Sequence, residues 1–174
     1  INFFDPDTWE YYNTKSRLIM IPYAKTSLVI RADCNYVESY SCYYNSLKQI
    51  TVESGNSYVT VYDSVVYMEF GSEWDIQCFP GGKSVNLMDG ITSVTGELYG
   101  SDALVKIVIP DSVTAIDNYK LRTSPVLRSI NIPAGVTSIG TGVLENAPNV
   151  TATVVKGTYG EEWCKNNNIK YIYG

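Results

Sequence analysis

The chain contains no histidine. That single absence removes Ser-His-Asp and Cys-His catalysis, histidine-ligated metals and imidazole pH switching. Charge is sparse as well: 18% of the 174 residues are Asp, Glu, Lys or Arg. Thirteen basic against 18 acidic side chains leave a net charge of −5, and such a chain lacks the basic face that neutralises phosphates, so no nucleic-acid partner is expected. No apolar run approaches the roughly 20 residues of a membrane-spanning helix. The four cysteines (Cys34, Cys42, Cys78, Cys164) include no C-x-x-C pair, which argues against a zinc site. Gly81-Gly82-Lys83 lacks the spacing of a phosphate-cradling loop, and Gly140-Thr141-Gly142 lacks the third glycine of a dinucleotide fingerprint. Asp5, Asp7 and Glu10 come without the glycine and bidentate glutamate of a calcium loop. No cofactor is implied. The chain begins at Ile1 without a signal-peptide pattern, which reads as a processed form or a fragment.

What is present is periodic. Leu104-Val-Lys-Ile-Val-Ile-Pro-Asp-Ser-Val-Thr-Ala-Ile116 returns 23 residues later as Leu127-Arg-Ser-Ile-Asn-Ile-Pro-Ala-Gly-Val-Thr-Ser-Ile139. The shared frame is L-x-x-I-x-I-P-x-x-V-T-x-I. Leu87 to Val94 and Ile30 to Val37 fit its second half, and Leu47 to Val52 its first. A longer offset of 57 relates Leu47 to Leu104, Ile50 to Ile107 and Val37 to Val94. The chain is therefore a duplication of a larger unit with a further short repeat appended. Each unit carries an inserted stretch, Trp9 to Pro22 and Val65 to Pro80, which reads as a hairpin around a polar turn.

The short frame explains a solenoid. Ile107 and Ile109 are two apart and share one strand face. Pro110 removes a donor and ends the ladder, Asp111-Ser112 supplies turn chemistry, and Val113 and Ile116 return apolar groups inward. One coil cannot cover its own apolar face. Stacked coils can, with parallel strands about 4.8 Å apart, so Ile107 and Ile130 are expected on adjacent rungs. In the same frame Cys34 replaces Ile91, Val113 and Val136, and Cys42 replaces Leu121 and Leu144. Both are expected in the core. The four cysteines read as free buried thiols, with two disulfides as the alternative for a secreted protein; a Cys34–Cys42 disulfide would need Cα atoms within about 7 Å.

These residues resemble the BspA-like, treponeme-type leucine-rich repeats of bacterial and protozoan surface and secreted proteins. Leu127 to Leu144 follows that repeat through Ile130, Ile132, Pro133, Val136, Ile139 and Gly140, with Val143-Leu144 where Ala-Phe is usual. Gly55-Asn56, Asp63 to Tyr67 and Phe79 to Lys83 resemble the family's insertions, and Val155 to Tyr171 its terminal segment. The resemblance covers nearly the whole chain from about Trp9. Its departures are Ser41-Cys42 and Lys120-Leu121 in place of Ala-Phe, and Arg31 in place of proline. It implies a mainly β, right-handed parallel leucine-rich-repeat solenoid forming one domain, 1–174. Within it lie an N-terminal hairpin region (1–22), a hairpin insertion (58–83) and a C-terminal helix-strand cap (154–174). In the cap, Gly160 to Asn168 reads as a helix with Glu161 and Glu162 at its positive end and Lys165 at the other. Tyr159 and Trp163 are four apart and are expected to share its buried face, and Asn167 or Asn168 to close it in the left-handed region.

The resemblance implies a non-catalytic interaction module at the cell surface or outside the cell, taking part in adhesion or in protein or glycan recognition. A structural spacer in a larger surface protein and a carbohydrate-binding accessory unit are the alternatives. The domain is read as a monomer or part of a larger chain. The expected partner face is the outward side of the stacked strands. Lys48 and Thr51 are expected beside Lys106 and Val108, then Arg128 and Asn131, with Tyr43 and Tyr44 at a tyrosine-rich edge that includes Tyr36 and Tyr40. Tyr58, Tyr62 and Tyr67 flank the second insertion, where exposed rings commonly bind. Asn149-Val150-Thr151 matches a glycosylation sequon.

Overall fold

The structure, a computed structural model, describes residues 2–5, 10–13, 16–21, 25–38, 47–80, 84–95, 104–121 and 125–174. Strands β1 (Asn2–Asp5), β2 (Glu10–Asn13) and β3 (Arg17–Met20) form an antiparallel meander. They are followed by β4 (Ser27–Ile30), β5 (Tyr36–Val37) and β6 (Gln49–Val52), with β4 parallel to β6 and β3 parallel to β5. The order then repeats. Strands β7 (Val59–Tyr62), β8 (Val65–Phe70) and β9 (Glu73–Cys78) form a second meander, followed by β10 (Ser84–Asn86), β11 (Ser93–Val94) and β12 (Lys106–Val108). The duplication with offset 57 is thus a repeat of whole elements. Further coils add β13 (Ala115–Ile116), β14 (Ser129–Ile132), β15 (Ser138–Ile139) and β16 (Thr151–Val154). Helix α1 (Tyr159–Asn166) and β17 (Lys170–Tyr173) close the chain.

The fold is a β-solenoid built from stacked coils. A long parallel sheet runs β10-β12-β14-β16-β17, and a short one β11-β13-β15 lies on the other side of each coil. Val85 pairs with Ile107, Ile107 with Ile130 and Ile130 with Ala152. Each of these is at most 1% exposed, which is the rung-on-rung burial the L-x-x-I-x-I frame requires. The turns repeat too. Val113 N–H donates to the Pro110 carbonyl (3.1 Å), Val136 N–H to Pro133 (3.1 Å) and Cys34 N–H to Arg31 (3.0 Å). Arg31 therefore keeps the turn although the proline is lost. Leu121 and Leu144 share a register place, a left-handed φ (61° and 64°) and near-complete burial. A leucine there costs about 1–2 kcal/mol of backbone strain, offset by the apolar area it hides.

The second meander has a role beyond an insertion. The β8 run Val65-Val66-Tyr67-Met68 is buried throughout. Val65 and Tyr67 belong to the core of the C-terminal coils, whereas Val66 and Met68 belong to a separate core with Leu28, Ile30, Cys34, Val37 and Ile50. Strand alternation sends successive side chains to opposite faces, so β8 is a partition with a core on each side. A strand covered on both faces reads as a continuous apolar run. Its turn at Asp63-Ser64 has positive φ at both residues (47° and 64°), the geometry that matches strand twist in a two-residue hairpin. Tyr67 is correspondingly buried, and its phenol oxygen accepts the Met88 N–H (3.0 Å). It is a core residue, whereas Tyr58 and Tyr62, which also flank the insertion, are exposed.

Asn56 joins the two halves. Its amide nitrogen donates to the Arg31 and Cys34 carbonyls (2.9 and 2.8 Å), and its amide oxygen accepts the Tyr58 and Val59 N–H groups (2.8 and 2.9 Å). One side chain thereby ties a coil turn to the start of the partition.

The cysteines correct the expectation of four free thiols. Cys34 and Cys164 are free and buried, but Cys78 is disulfide-bonded. Cys34 therefore does not pair with Cys42, which lies outside the described residues. Burial pushes the Cys34 thiol up, and lifts that of Cys164 to about 11.

At the C-terminal end α1 packs on the last coil through Trp163 and Cys164, and Asn168 takes the left-handed position (φ 57°). Tyr159 is 40% exposed, so it does not share the buried face with Trp163. The inward place beside it goes to Gly160, where a Cβ would lie 2.6 Å from Ile132 Cγ2.

Candidate partner-binding face

The long parallel sheet turns one face to the core and the other outward. Ser84, Lys106, Ser129, Thr151 and Lys170 stand opposite one another in one outward row. The second row starts with Asn86 opposite Val108 and continues with Asn131, Thr153 and Ile172. Rungs about 4.8 Å apart put five coils within reach of one extended partner. Of the residues expected to form this face, Lys106, Val108 and Asn131 come together here, with Arg128 just before β14 at its edge. Lys106 and Arg128 are exposed and Val108 is half-buried.

Lys48 and Thr51 do not join them. They lie beside and within β6, whose paired neighbour is β4, where Thr51 stands opposite Val29. The second meander and β10 intervene between β6 and β12, so the offset of 57 makes these strands equivalent without making them adjacent. Tyr43 and Tyr44, with Tyr40, lie outside the described residues.

Asn131 is committed inside the protein. Its Nδ2 donates to the Ile109 carbonyl (2.7 Å) and its Oδ1 accepts the Ile109 N–H (2.6 Å). The amide thus replaces a strand partner for the residue just past β12 and holds the floor of the face rigid.

Beyond the strand ends the face deepens. Two cavities of about 410 and 390 Å³ share Asp111 and Asn131, and so form one groove across the coil turns. One end carries Tyr62, Asp89 and Val108; the other carries Pro133, Thr153 and Val155. Asp89 and Asp111 are exposed and 22 residues apart, one coil period. Asp111 carries only a turn signal on its own; the repeat spacing it shares with Asp89 is what places both carboxylates on neighbouring coils. The face is therefore bipolar. Lys106, Arg128 and Lys170 lie toward the strand starts, and Asp89 and Asp111 beyond the strand ends.

The cap is held by a clasp next to this face. The Glu161 carboxylate accepts Lys165 Nζ (2.5 Å), the Tyr173 hydroxyl (2.8 Å) and the Gly157 N–H (2.6 Å). The Lys165 hydrogen bond, followed by those from Gly157 and Tyr173, holds its pKa down at about 2. The same carboxylate lifts the Tyr173 phenol to about 12. Among the described residues no group of three or more Cys, Asp or Glu is placed to hold a metal ion, and no helix is long and apolar enough to cross a membrane.

Residues 76–172 match the family model described as the BspA type leucine rich repeat region, in six copies. Among solved structures the chain is similar to a leucine-rich repeat protein from Eubacterium ventriosum (23% identity, TM-score 0.56), covering 76% of this chain and 37% of that one. It is also similar to a leucine rich cell surface protein from Faecalibacterium prausnitzii (16% identity, TM-score 0.50), covering 87% of this chain and 48% of that one. The chain thus spans less than half the length of either. No curated protein matches it. With the family model matching more than half of its residues, the chain belongs to the BspA type leucine rich repeat family.

Proposed function

We propose that this domain is a non-catalytic recognition module of a bacterial cell-surface or secreted protein, binding a protein or glycan partner through the outward face of its long sheet. The observation that carries this reading is the continuous face itself: two outward rows across five coils, with a rigid floor and opposite charge at its two margins. Two facts add support. The chain belongs to a repeat family with a surface protein among its structural neighbours. A disulfide at Cys78 suits an oxidising, extracytoplasmic compartment. In this reading the chain 1–174 acts as one unit, with the meanders at 1–22 and 58–83 closing coil ends and 154–174 as the cap.

The test is an array of extracellular-matrix proteins and glycans probed with the purified chain and with the outward variant Lys106→Ala/Arg128→Ala/Thr153→Ala. A partner bound at micromolar strength by the parent and at least tenfold more weakly by the variant supports the reading. Binding no tighter than millimolar across the array favours a structural spacer instead.

A further inference from the structure

The groove beyond the strand ends has a chemistry of its own. Its lining includes two carboxylates, Asp89 and Asp111, on neighbouring coils, with no ammonium or guanidinium among the described residues that line it. Between and beside the acids lie apolar surfaces from Val108, Pro110 and Val155, and at one end stands Tyr62, 47% exposed. Two exposed like charges one coil apart repel, and a cation seated between them relieves that repulsion. Two carboxylates fall short of the six to eight oxygens that calcium takes, which leaves a side-chain cation as the better fit. An anionic sugar or phosphate meets only repulsion there.

We propose that this groove binds an extended peptide segment bearing arginine or lysine, laid across the coils. The segment places its cations on Asp89 and Asp111, an arginine on the Tyr62 ring by cation–π contact, and its backbone along Val108 and Val155. The Asn131 amide, bonded to Ile109 on both sides, holds the groove floor in place before the segment arrives. This rests on the recognition reading above and names the partner's chemistry at one margin of the same face.

The test uses the ¹⁵N-labelled chain and three ten-residue peptides, alternating Arg-Ser, Gln-Ser and Glu-Ser, at 150 mM salt. The Arg-Ser peptide is expected to bind at least tenfold more tightly than either other. Its amide shifts should fall at residues 89–90, 111–112, 131–132 and 134–135. Asp89→Asn/Asp111→Asn should weaken binding at least tenfold. Glu69→Gln/Glu73→Gln, which removes the same charge from the exposed end of the β8–β9 hairpin, should change it less than twofold. Equal affinity for the three peptides, equal losses in the two double variants, or shifts mapped elsewhere would each overturn the proposal. Loss of array binding in the Lys106/Arg128/Thr153 variant beside an unselective groove removes the groove alone. Peptide selectivity without any array partner removes the broader reading instead.

Discussion

Val66 and Tyr67 are neighbours in the chain and are buried in different cores. The peptide bond between them lies in a wall that both halves of the molecule use. The second meander therefore closes the end of one stack of coils and the start of the next, and removing it would expose apolar surface on two sides.

Substitutions on the two faces of β8 should separate by location. Tyr67→Phe leaves the half-buried Met88 N–H without its acceptor, a loss of about 1 kcal/mol. Met68→Ala should cost about 2–5 kcal/mol. Urea unfolding measures both losses, and native-state hydrogen exchange assigns them. Tyr67→Phe should raise exchange in the coils after residue 84, and Met68→Ala in residues 27–52. The same pattern from both variants would argue against a partition.

Two glycines should both lose stability on substitution by alanine, Gly140 more than Gly157 and for a different reason. At Gly140 an added Cβ would sit 2.5 Å from the Asn118 nitrogen of the neighbouring coil, so Gly140→Ala should destabilise by about 1–3 kcal/mol through overpacking. At Gly157 the space is open but φ is +80°, leaving only the backbone strain of about 1–2 kcal/mol. Thermal melts of both variants check the order; Gly157→Ala as the worse of the two would contradict the close stacking of coils.

The clasp at Glu161 makes the cap acid-sensitive. Its folded pKa of about 2 lies below the ordinary carboxylate value of 4.5. A depressed folded pKa contributes stability that is fully present above 4.5 and lost as pH falls toward 2. Tm measured from pH 6 to pH 2 should drop through this window in the parent, and Glu161→Gln should flatten that drop. An unchanged slope in the variant would count against the clasp.

The thiols divide cleanly. Without reductant, alkylation of the native chain should leave Cys34 and Cys164 unlabelled, and alkylation after denaturation should label both. The peptide carrying Cys78 should be recovered cross-linked. Rapid native labelling of Cys34 would contradict its inward place in the coil.

Much of this architecture was legible in the residues. The L-x-x-I-x-I-P frame located β12 and β14 and their pairing, because strand alternation converts a spacing of two into a shared face. The offset of 57 gave the equivalence of the two units. It does not give adjacency, so Lys48 and Thr51 match positions of a sheet they do not join. The run Val65 to Met68 was readable as a strand, but a partition becomes visible only when both cores it serves are known. Asn131 occupies an outward place in the pattern, yet its partners are backbone groups, which carry no side-chain signature. Cysteine spacing alone cannot assign pairing, and Tyr159 lost its buried place to a glycine because α1 approaches Ile132 too closely for a ring.

The parallel stacking of coils is tested most directly by nuclear Overhauser contacts in a chain labelled at its isoleucine, valine and alanine methyls. Strong contacts between the methyls of Ile107 and Ile130 are expected, with contacts from Ile107 to Val85 and from Ile130 to Ala152 on the flanking rungs. Absence of the Ile107–Ile130 contact in the folded chain would contradict the solenoid and everything built on its outward face.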